Sequence, residues 1–485
     1  MIYPAVANIL RQIYNWDMDI SFVNETARNI HVSSLIEVAD LFRDTGADLS
    51  IRVTALGGDP AAAVAECCGY DTVRSEADAV QYAVKKAVFE MLSSVTGSHP
   101  AWGSLTGVKP LKIMVQLKEK GFDAESIRQY FRRNFLISGA KLALLESCVD
   151  THMKLLYPHG DDYALYVHIP LCLSKCSYCS FPSAVTSEGS DLCGEYLSAL
   201  IKELRAVCGY FPSRKADCAY VGGGTPSILS SEQSSRLLEE IGVLCRDLKE
   251  LTFEAGRADT LEREKLEALR RSGVTRISLN PQTTDNATLE RIGRRVTHEM
   301  FLKTFGEARS AGHDNINCDI IYGLEDEREE SCFRSLSDIM DLSPESITLH
   351  TLCKKRTSAI EGESLLKKEL PVAGMMDTSR LMLAERGYMP YYLYRQKNAM
   401  DNAENTGYAL AGAENIYNIR MMGERQSVIS AGAGSTTKIY FPGEDRFENI
   451  YNIKNIRLYI DTIDQVIEKK LRTLDRVLSG GRQEQ

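Results

Sequence analysis

No stretch of this 485-residue chain is apolar for the roughly 18–20 residues that a membrane span needs. The opening MIYPAVANILRQIYNWDMD lacks a basic region leading into an apolar core and a small-residue cleavage site, so no export signal is read and a cytoplasmic protein is expected. Positive charge is not in excess. The formal net charge of −9 argues against nonspecific binding to nucleic acid or to a membrane surface, although it permits a local basic patch. No Walker-type phosphate loop and no Ser-His-Asp ordering occurs, which leaves nucleoside triphosphatase and serine hydrolase readings without support.

Cysteine, by contrast, is plentiful, with thirteen residues in a chain that shows no sign of export. A disulfide scaffold does not suit that context. Cys148, Cys208, Cys218, Cys245, Cys318, Cys332 and Cys353 each stand alone and are expected to act as small core hydrophobes. Cys67 and Cys68 are adjacent but have no partner spacing nearby. Only HIPLCLSKCSYCSFPS (168–183) departs from scatter, placing Cys172, Cys176 and Cys179 in a C-x3-C-x2-C array. Zinc usually takes two C-x2-C knuckles, and no second one exists here. A two-cysteine redox motif needs no third thiol. Three thiolates on three irons of a [4Fe–4S] cluster fit better, leaving one iron open to a small ligand.

The surroundings of this loop read as alternating β and α. Strands are predicted at 163–169, 217–223, 250–256, 276–282, 315–323 and 346–352, with helices at 195–207, 231–245, 261–273 and 328–342. Such alternation specifies a parallel sheet with right-handed crossovers. Six units are too few for a closed eight-fold barrel, so a partial (βα)6 barrel is expected, with chemistry at the C-terminal ends of its strands. The cysteine loop, the run Gly222, Gly223, Gly224 and Thr225, then Glu254, Gln282 and Asp319 all fall on or near that rim. The expected division is an accessory domain over 1–155, mainly helical with a β-like piece at 47–56, the barrel over 160–356, and a C-terminal region over 357–485 that covers the substrate. PAWGSLTGVKPLK (100–112) reads as an ordered loop entering a helix; a further helix is expected at 374–387 and a closing one from about 450.

C-x3-C-x2-C with an aromatic residue, Tyr178, before its last cysteine resembles the signature of radical S-adenosylmethionine enzymes. The resemblance implies that the open iron chelates S-adenosylmethionine through its amino and carboxylate groups, and that one electron releases a 5′-deoxyadenosyl radical. It also implies that Gly222, Gly223, Gly224 and Thr225 meet the methionyl amino group, and that Glu254, Gln282, Arg294 and Asp319 hold the ribose hydroxyls and the methionyl carboxylate. A guanidinium fork suits a carboxylate. On residue type alone, a plain tight turn explains the glycines equally well, and rim salt bridges or strand caps explain the polar residues. Arg295 is adjacent to Arg294, so the register there is open by one residue.

GGGTP, NCDIIYGL and the distal AGAGS resemble the oxygen-independent coproporphyrinogen III oxidase family, and WGSLTGVKPLK with PYYLYRQKN…ENTGY resembles its HemZ branch. The implied activity is oxidative decarboxylation of two propionates of coproporphyrinogen III to vinyls, giving protoporphyrinogen IX, with an electron donor and an acceptor yet to be identified. An open iron of this kind is lost in air, so an anaerobe-compatible protein is implied. One departure stands out. The oxidase has a further cysteine two residues beyond the third, where this chain has Phe181, as does the related haem-chaperone branch; a haem-opening branch is a third alternative. For a tetrapyrrole, Lys354, Lys355 and Arg356 after strand six, with Arg395 and Lys397, are candidates to receive propionates, and Tyr391, Tyr392 and Tyr394 to flank the macrocycle. The alternative is a solvated charge run beside core tyrosines. His168 is expected to be packed and hydrogen-bonded rather than a ligand.

Overall fold

A computed structural model describes residues 97–353 and 370–480, together with residues 85, 86, 89, 90 and 93. They form two compact units. One contains the described residues up to Glu146 with Arg395–Ala403; the other contains Ser147–Tyr394 and Glu404 onward. The β-like piece read at 47–56 and the pair Cys67–Cys68 lie outside the described residues.

The first unit is helical where it is described. Helix α1 (Pro110–Glu119) starts with proline, whose missing N–H would be unpaired there in any case. Helix α2 (Ala124–Phe135) is capped by Asp123, which accepts the Ser126 N–H at 2.7 Å. Helix α3 (Gly139–Leu156) then leads into the second unit. Trp102, Ser104 and Leu105 of the WGSLTG loop are buried, so the loop is packed as its composition suggested. Arg395 is buried in this unit as well. Its guanidinium donates to the Leu105 carbonyl and to Asn402 Oδ1 (2.7 Å) and lies 5.2 Å from the Trp102 ring centroid. Two of its nitrogens, Nη1 and Nη2, and one face of the guanidinium are thus engaged inside the unit, so a propionate would have to compete with these partners for Arg395.

The second unit is built on a partial barrel of parallel strands alternating with helices. Strand β1 (Tyr163–Ile169) is followed by two-residue strands β2 (Leu171–Cys172) and β3 (Ala184–Val185) flanking the cysteine loop. After them come α4 (Asp191–Gly209), β4 (Ala216–Gly223), α5 (Ser231–Leu244), β5 (Glu250–Gly256), α6 (Arg263–Arg271) and β6 (Arg276–Leu279). The series continues through α7 (Asn286–Arg291), α8 (His298–Ser310), β7 (Ile316–Tyr322), α9 (Glu329–Asp341) and β8 (Ser346–Thr351). β1 and β4 to β8 pair in parallel in chain order, as the alternation predicted. Both faces of these strands are largely buried, the usual state of a parallel sheet covered by helices.

Beyond β8 the chain adds further helices and strands. Helix α10 (Val372–Glu385) leads to β9 (Met389–Arg395) and β10 (Glu404–Ala409), and β10 joins β8 antiparallel. Helix α11 (Ile416–Gly423) precedes β11 (Val428–Ala431), which pairs in parallel with the opposite edge strand, β1. Strands β12 (Thr436–Phe441) and β13 (Arg446–Tyr451) then continue that edge, before α12 (Ile456–Asp461) and α13 (Ile463–Leu478). Among the described residues these strands complete one eleven-stranded sheet. Residue 450 belongs to a strand, not to the closing helix.

Two polar layers tie this sheet together. At the strand starts, Asp217 pairs with Arg420 and accepts from Gln426 (2.8 Å), while Glu250 accepts the backbone N–H groups of Ile416 (3.0 Å) and Tyr417 (3.3 Å). Arg276 donates to the Ala413 carbonyl (2.6 Å) and to Asn315 (3.0 Å). These bonds fasten α11 and its leading loop beneath the barrel. Near the other ends, fully buried Glu203 on α4 accepts from Lys470 of α13 (2.8 Å), Asn452 (2.8 Å), Tyr459 (2.6 Å) and the Gly432 N–H (2.8 Å).

Among the described residues no helix is long and apolar enough to cross a membrane. Cys148, Cys193, Cys208, Cys218, Cys245, Cys318 and Cys332 are buried, whereas Cys353 is only half-buried. Removing one partner of a buried ion pair leaves a desolvated charge, so Glu203→Ala should destabilise the protein by about 3–5 kcal/mol in chemical denaturation. An effect under about 1 kcal/mol, the scale of an exposed pair, would show that Lys470 finds water instead.

Candidate active site

The cysteine loop hangs from the C-terminal end of β1 and is held by backbone bonds from several directions. Ala184 N–H donates to the Pro170 carbonyl and Thr186 N–H to that of Cys172, both at 2.9 Å, closing the loop at its neck. Within it, a turn joins Cys179 N–H to the Cys176 carbonyl (3.1 Å), and Ser177 N–H reaches the Ile292 carbonyl just past α7 (3.1 Å). Cys172 and Cys176 are buried and Cys179 is half-buried. Burial raises the Cys179 thiol pKa, and the neighbouring Cys176 and Cys172 push it the same way. A cationic group bound among the three would reverse that preference. Among the described residues no three His, Cys, Asp or Glu side chains close to the spacing of a single metal ion; the thiols share a loop rather than a point.

The glycine run lies directly against the neck. Gly224 N–H donates to the Ile169 carbonyl (2.9 Å) and Thr225 N–H to that of Leu171 (2.8 Å). A Cβ on Gly224 would sit 2.6 Å from the Leu171 carbonyl oxygen and 2.9 Å from Cys172 Sγ. At Gly223, φ is +119°, and a Cβ would meet the His168 ring at 2.4 Å. Neither position accepts a side chain, so the run is more than a tight turn. Thr225 Oγ1 is 3.5 Å from Cys172 Sγ and donates to it. His168 is packed and bonded through Nδ1 to the Ala433 carbonyl (2.6 Å), as expected.

Glu254, near the end of β5, accepts from Tyr220 Oη at 2.7 Å and from the Gly223 N–H at 3.2 Å. Burial, reinforced by the Asp319 charge and opposed by those bonds, pushes its pKa up to about 7. Asp319 moves the other way. Burial would raise its pKa, but His350, Asn317 and Thr348 together outweigh that and hold it below the ordinary carboxylate value. Asn317 Nδ2 lies 2.7 Å from Asp319, and His350 Nε2 lies 3.7 Å from it. His350 Nδ1 is in turn 3.5 Å from Tyr394 Oη. The sequence reading passed over His350, although its place two residues after Thr348 puts it on the same inward face of β8.

Gln282 was expected within a strand that in fact stops at Leu279. It is instead left-handed, with φ +69°, and exchanges backbone bonds with Asp319 and Ile321 (both 2.9 Å). A glutamine seldom adopts that conformation without a tertiary or functional reason. Its Oε1 is buried with no hydrogen-bond partner. Arg294 is buried and donates to the carbonyls of Asn280 and Pro281, while its Nε has no partner; Arg295 is exposed. Of the two, Arg294 is the one packed against the Asn280–Pro281 backbone.

Three soft thiolates, a side-chain-free cradle beside one of them, and two buried polar atoms awaiting partners fit a [4Fe–4S] cluster with an amino-acid-bearing nucleoside next to it. Cys172, Cys176 and Cys179 could hold the former; Gly222–Thr225, Glu254, Gln282, Arg294 and Asp319 could hold the latter. The proposed substrate contacts fare differently. Lys354, Lys355 and Arg356 lie outside the described residues. Lys397 is exposed and belongs, like Arg395, to the first unit. Tyr391 and Tyr392 are buried side chains of β9, the Tyr392 ring lying against Gly407, so only half-buried Tyr394 still suits the flanking role.

The profile of the Radical SAM superfamily matches residues 166–338. Among curated proteins, the oxygen-independent coproporphyrinogen-III oxidase-like protein HemZ of Bacillus subtilis (strain 168) is 34% identical over 412 residues, covering 82% of this chain and 82% of that protein. The heme chaperone HemW of Lactococcus lactis subsp. lactis (strain IL1403) is 31% identical over 279 residues, 56% of this chain and 68% of its own. Among solved structures, coproporphyrinogen III oxidase (HemN) from Escherichia coli, described as a radical SAM enzyme, aligns over 65% of this chain and 72% of its own at 20% identity, with a TM-score of 0.49.

Two outcomes follow from this geometry. Gly224→Ala must push the Leu171–Cys172 backbone aside, so anaerobic reconstitution should load much less iron while far-ultraviolet circular dichroism is unchanged; full loading would mean that the cradle can yield. Glu254 has a raised pKa, so it is largely protonated below pH 7 and a carboxylate acceptor above it. A ligand offering hydroxyls to it should bind more tightly at pH 8 than at pH 6. In calorimetric titration with S-adenosylmethionine, Glu254→Gln should flatten that dependence, and an unchanged pH profile would exclude Glu254 as the acceptor.

Proposed function

The chain belongs to the radical SAM superfamily and, within it, to the family of the oxygen-independent coproporphyrinogen-III oxidase-like protein HemZ, and from that premise we propose that it catalyses the oxidative decarboxylation of two propionates of coproporphyrinogen III, giving protoporphyrinogen IX. Members of the superfamily use a [4Fe–4S] cluster and S-adenosylmethionine, which together supply a hydrogen-abstracting carbon radical. The observation that carries the reading is the thiol triad seated against a glycine run that admits no side chain, with Gln282 Oε1 and Arg294 Nε buried and unpaired. In this reading Cys172, Cys176 and Cys179 ligate three irons. The backbone of Gly222–Thr225 receives the methionyl amino group, Arg294 and Gln282 the methionyl carboxylate, and Glu254 and Asp319 the ribose hydroxyls.

Each turnover removes one hydrogen atom from the propionate β-carbon, one electron and CO2, leaving a vinyl group. The electron goes to an acceptor and the initiating electron comes from a donor, both external to this chain. Lys354, Lys355 and Arg356, directly after β8, are the proposed cationic partners of the propionates, and Tyr394 the aromatic flank.

Phe181 supports a second reading. It is 54% exposed, and it stands where the oxidase carries a further cysteine. With the similarity to heme chaperones, this favours a carrier that binds haem and retains the cluster. The two readings part in one assay. The cluster would be reconstituted and reduced anaerobically, S-adenosylmethionine and coproporphyrinogen III added, and products followed by mass spectrometry. The oxidase reading expects protoporphyrinogen with two equivalents of 5′-deoxyadenosine, one for each propionate. No decarboxylation there, together with stoichiometric binding when the same protein is titrated with haem, would overturn it in favour of the carrier.

A further inference from the structure

Arg257 follows β5 immediately, three residues beyond Glu254, and its side chain is only 3% exposed. Its Nε and Nη2 form a two-pronged ion pair with Asp259 at 2.9 and 2.6 Å. Its Nη1 donates to Ser174 Oγ at 2.7 Å and faces the Ser174 carbonyl at 3.4 Å. Ser174 lies midway between Cys172 and Cys176, and both of those sulfurs, with Asp259, favour the charged form of the guanidinium. A guanidinium kept from water is costly unless its geometry is well satisfied, and here one face is given to a carboxylate and the other to the loop. The loop needs such a fastening: between its neck and Cys179 the other backbone anchors are the Cys176–Cys179 turn and the Ser177–Ile292 bond.

We propose that Arg257 is a positioning residue for the iron–sulfur site, clamping the cysteine loop at Ser174 and setting the charge beside Cys172 and Cys176, with Asp259 holding the guanidinium in place and moderating its field. This rests on the reading that Cys172, Cys176 and Cys179 ligate the cluster. An electron added to a thiolate-bound cluster increases its negative charge, and a nearby cation makes that addition easier. Arg257 therefore raises the reduction potential, and Asp259 opposes it. The fork also explains why lysine is no substitute: one ammonium cannot bond Asp259 along two parallel N–H directions while reaching Ser174.

The test uses the full chain, reconstituted anaerobically as wild type and as Arg257→Gln, Arg257→Lys, Asp259→Asn and Ser174→Ala. Iron per chain, iron loss to a chelator and the midpoint potential by electron paramagnetic resonance would be measured. Arg257→Gln should lower the potential and speed iron loss roughly 10–100-fold, the usual scale for an outer partner of a metal ligand. Asp259→Asn should shift the potential in the opposite direction, a sign reversal that general loosening would not produce. Ser174→Ala should speed iron loss with a smaller shift in potential. Arg257→Lys should keep the potential nearer wild type than Arg257→Gln does. Wild-type potential and iron retention in a folded Arg257→Gln protein would overturn the proposal; if that variant does not fold, unmoved values in both Asp259→Asn and Ser174→Ala would do so. Full iron in Cys176→Ala, or none in wild type, would instead overturn the ligand assignment beneath it.

Discussion

Backbone contact between the glycine run and the neck of the cysteine loop is the constraint on which the site depends. Parallel strands β1 and β4 end side by side, and the chain leaving β4 must pass within bonding distance of the chain leaving β1. Only residues without a Cβ allow that approach at Gly223 and Gly224. The same bonds then fix Cys172 relative to Thr225, and Glu254 relative to Gly223. A cluster-binding loop has little regular structure of its own, so its precision is borrowed from the strand ends beneath it. Arg257 extends that borrowing to the middle of the loop.

The second unit separates stability from chemistry along the strand axis. At the strand starts, charged groups such as Asp217, Arg276 and Glu250 meet compensating partners on or before α11. At the strand ends, polar atoms are left over: Gln282 Oε1 and Arg294 Nε are buried without partners, and the Glu254 carboxyl is held near neutrality in its proton affinity. Unpaired groups of that kind are destabilising in isolation. Other unpaired buried atoms are scattered through the described residues, but Gln282 and Arg294 lie on the rim expected for catalysis in a parallel barrel, where a ligand can complete them.

Much of this was legible in the residues. Six parallel strands were placed within a few residues of their ends because β-rich runs alternated with amphipathic helices, and the thiol spacing identified the loop. Gln282 was placed on the rim but given a strand conformation; nothing in RISLNPQ announces a left-handed residue. The C-terminal strands escaped because β11 has four residues and β12 and β13 are joined by a short hairpin, while their pairing with β1 is a long-range fact that local pattern does not carry. Arg395 shows the same limit. Read among tyrosines it offers a cation to a ligand, while its contacts with Trp102 and the Leu105 carbonyl, nearly 300 positions away in sequence, are not carried by local pattern. Arg257 was visible in FEAGR but had no motif to draw attention to it.

The pairing of β1 with β11 also bears on biosynthesis. The strand that carries the cysteine loop is made early, but one of its edges stays open until residues 428–431 emerge. His168 then gains Ala433, and the Gly432 turn gains Glu203, whose other partners, Asn452, Tyr459 and Lys470, come later still. During translation the thiols therefore sit on an unfinished scaffold whose exposed strand edge invites wrong partners. Metal delivery to this loop is thus better timed after release from the ribosome than during elongation, and a nascent chain stalled before residue 428 would offer an iron carrier only a loose trio of cysteines.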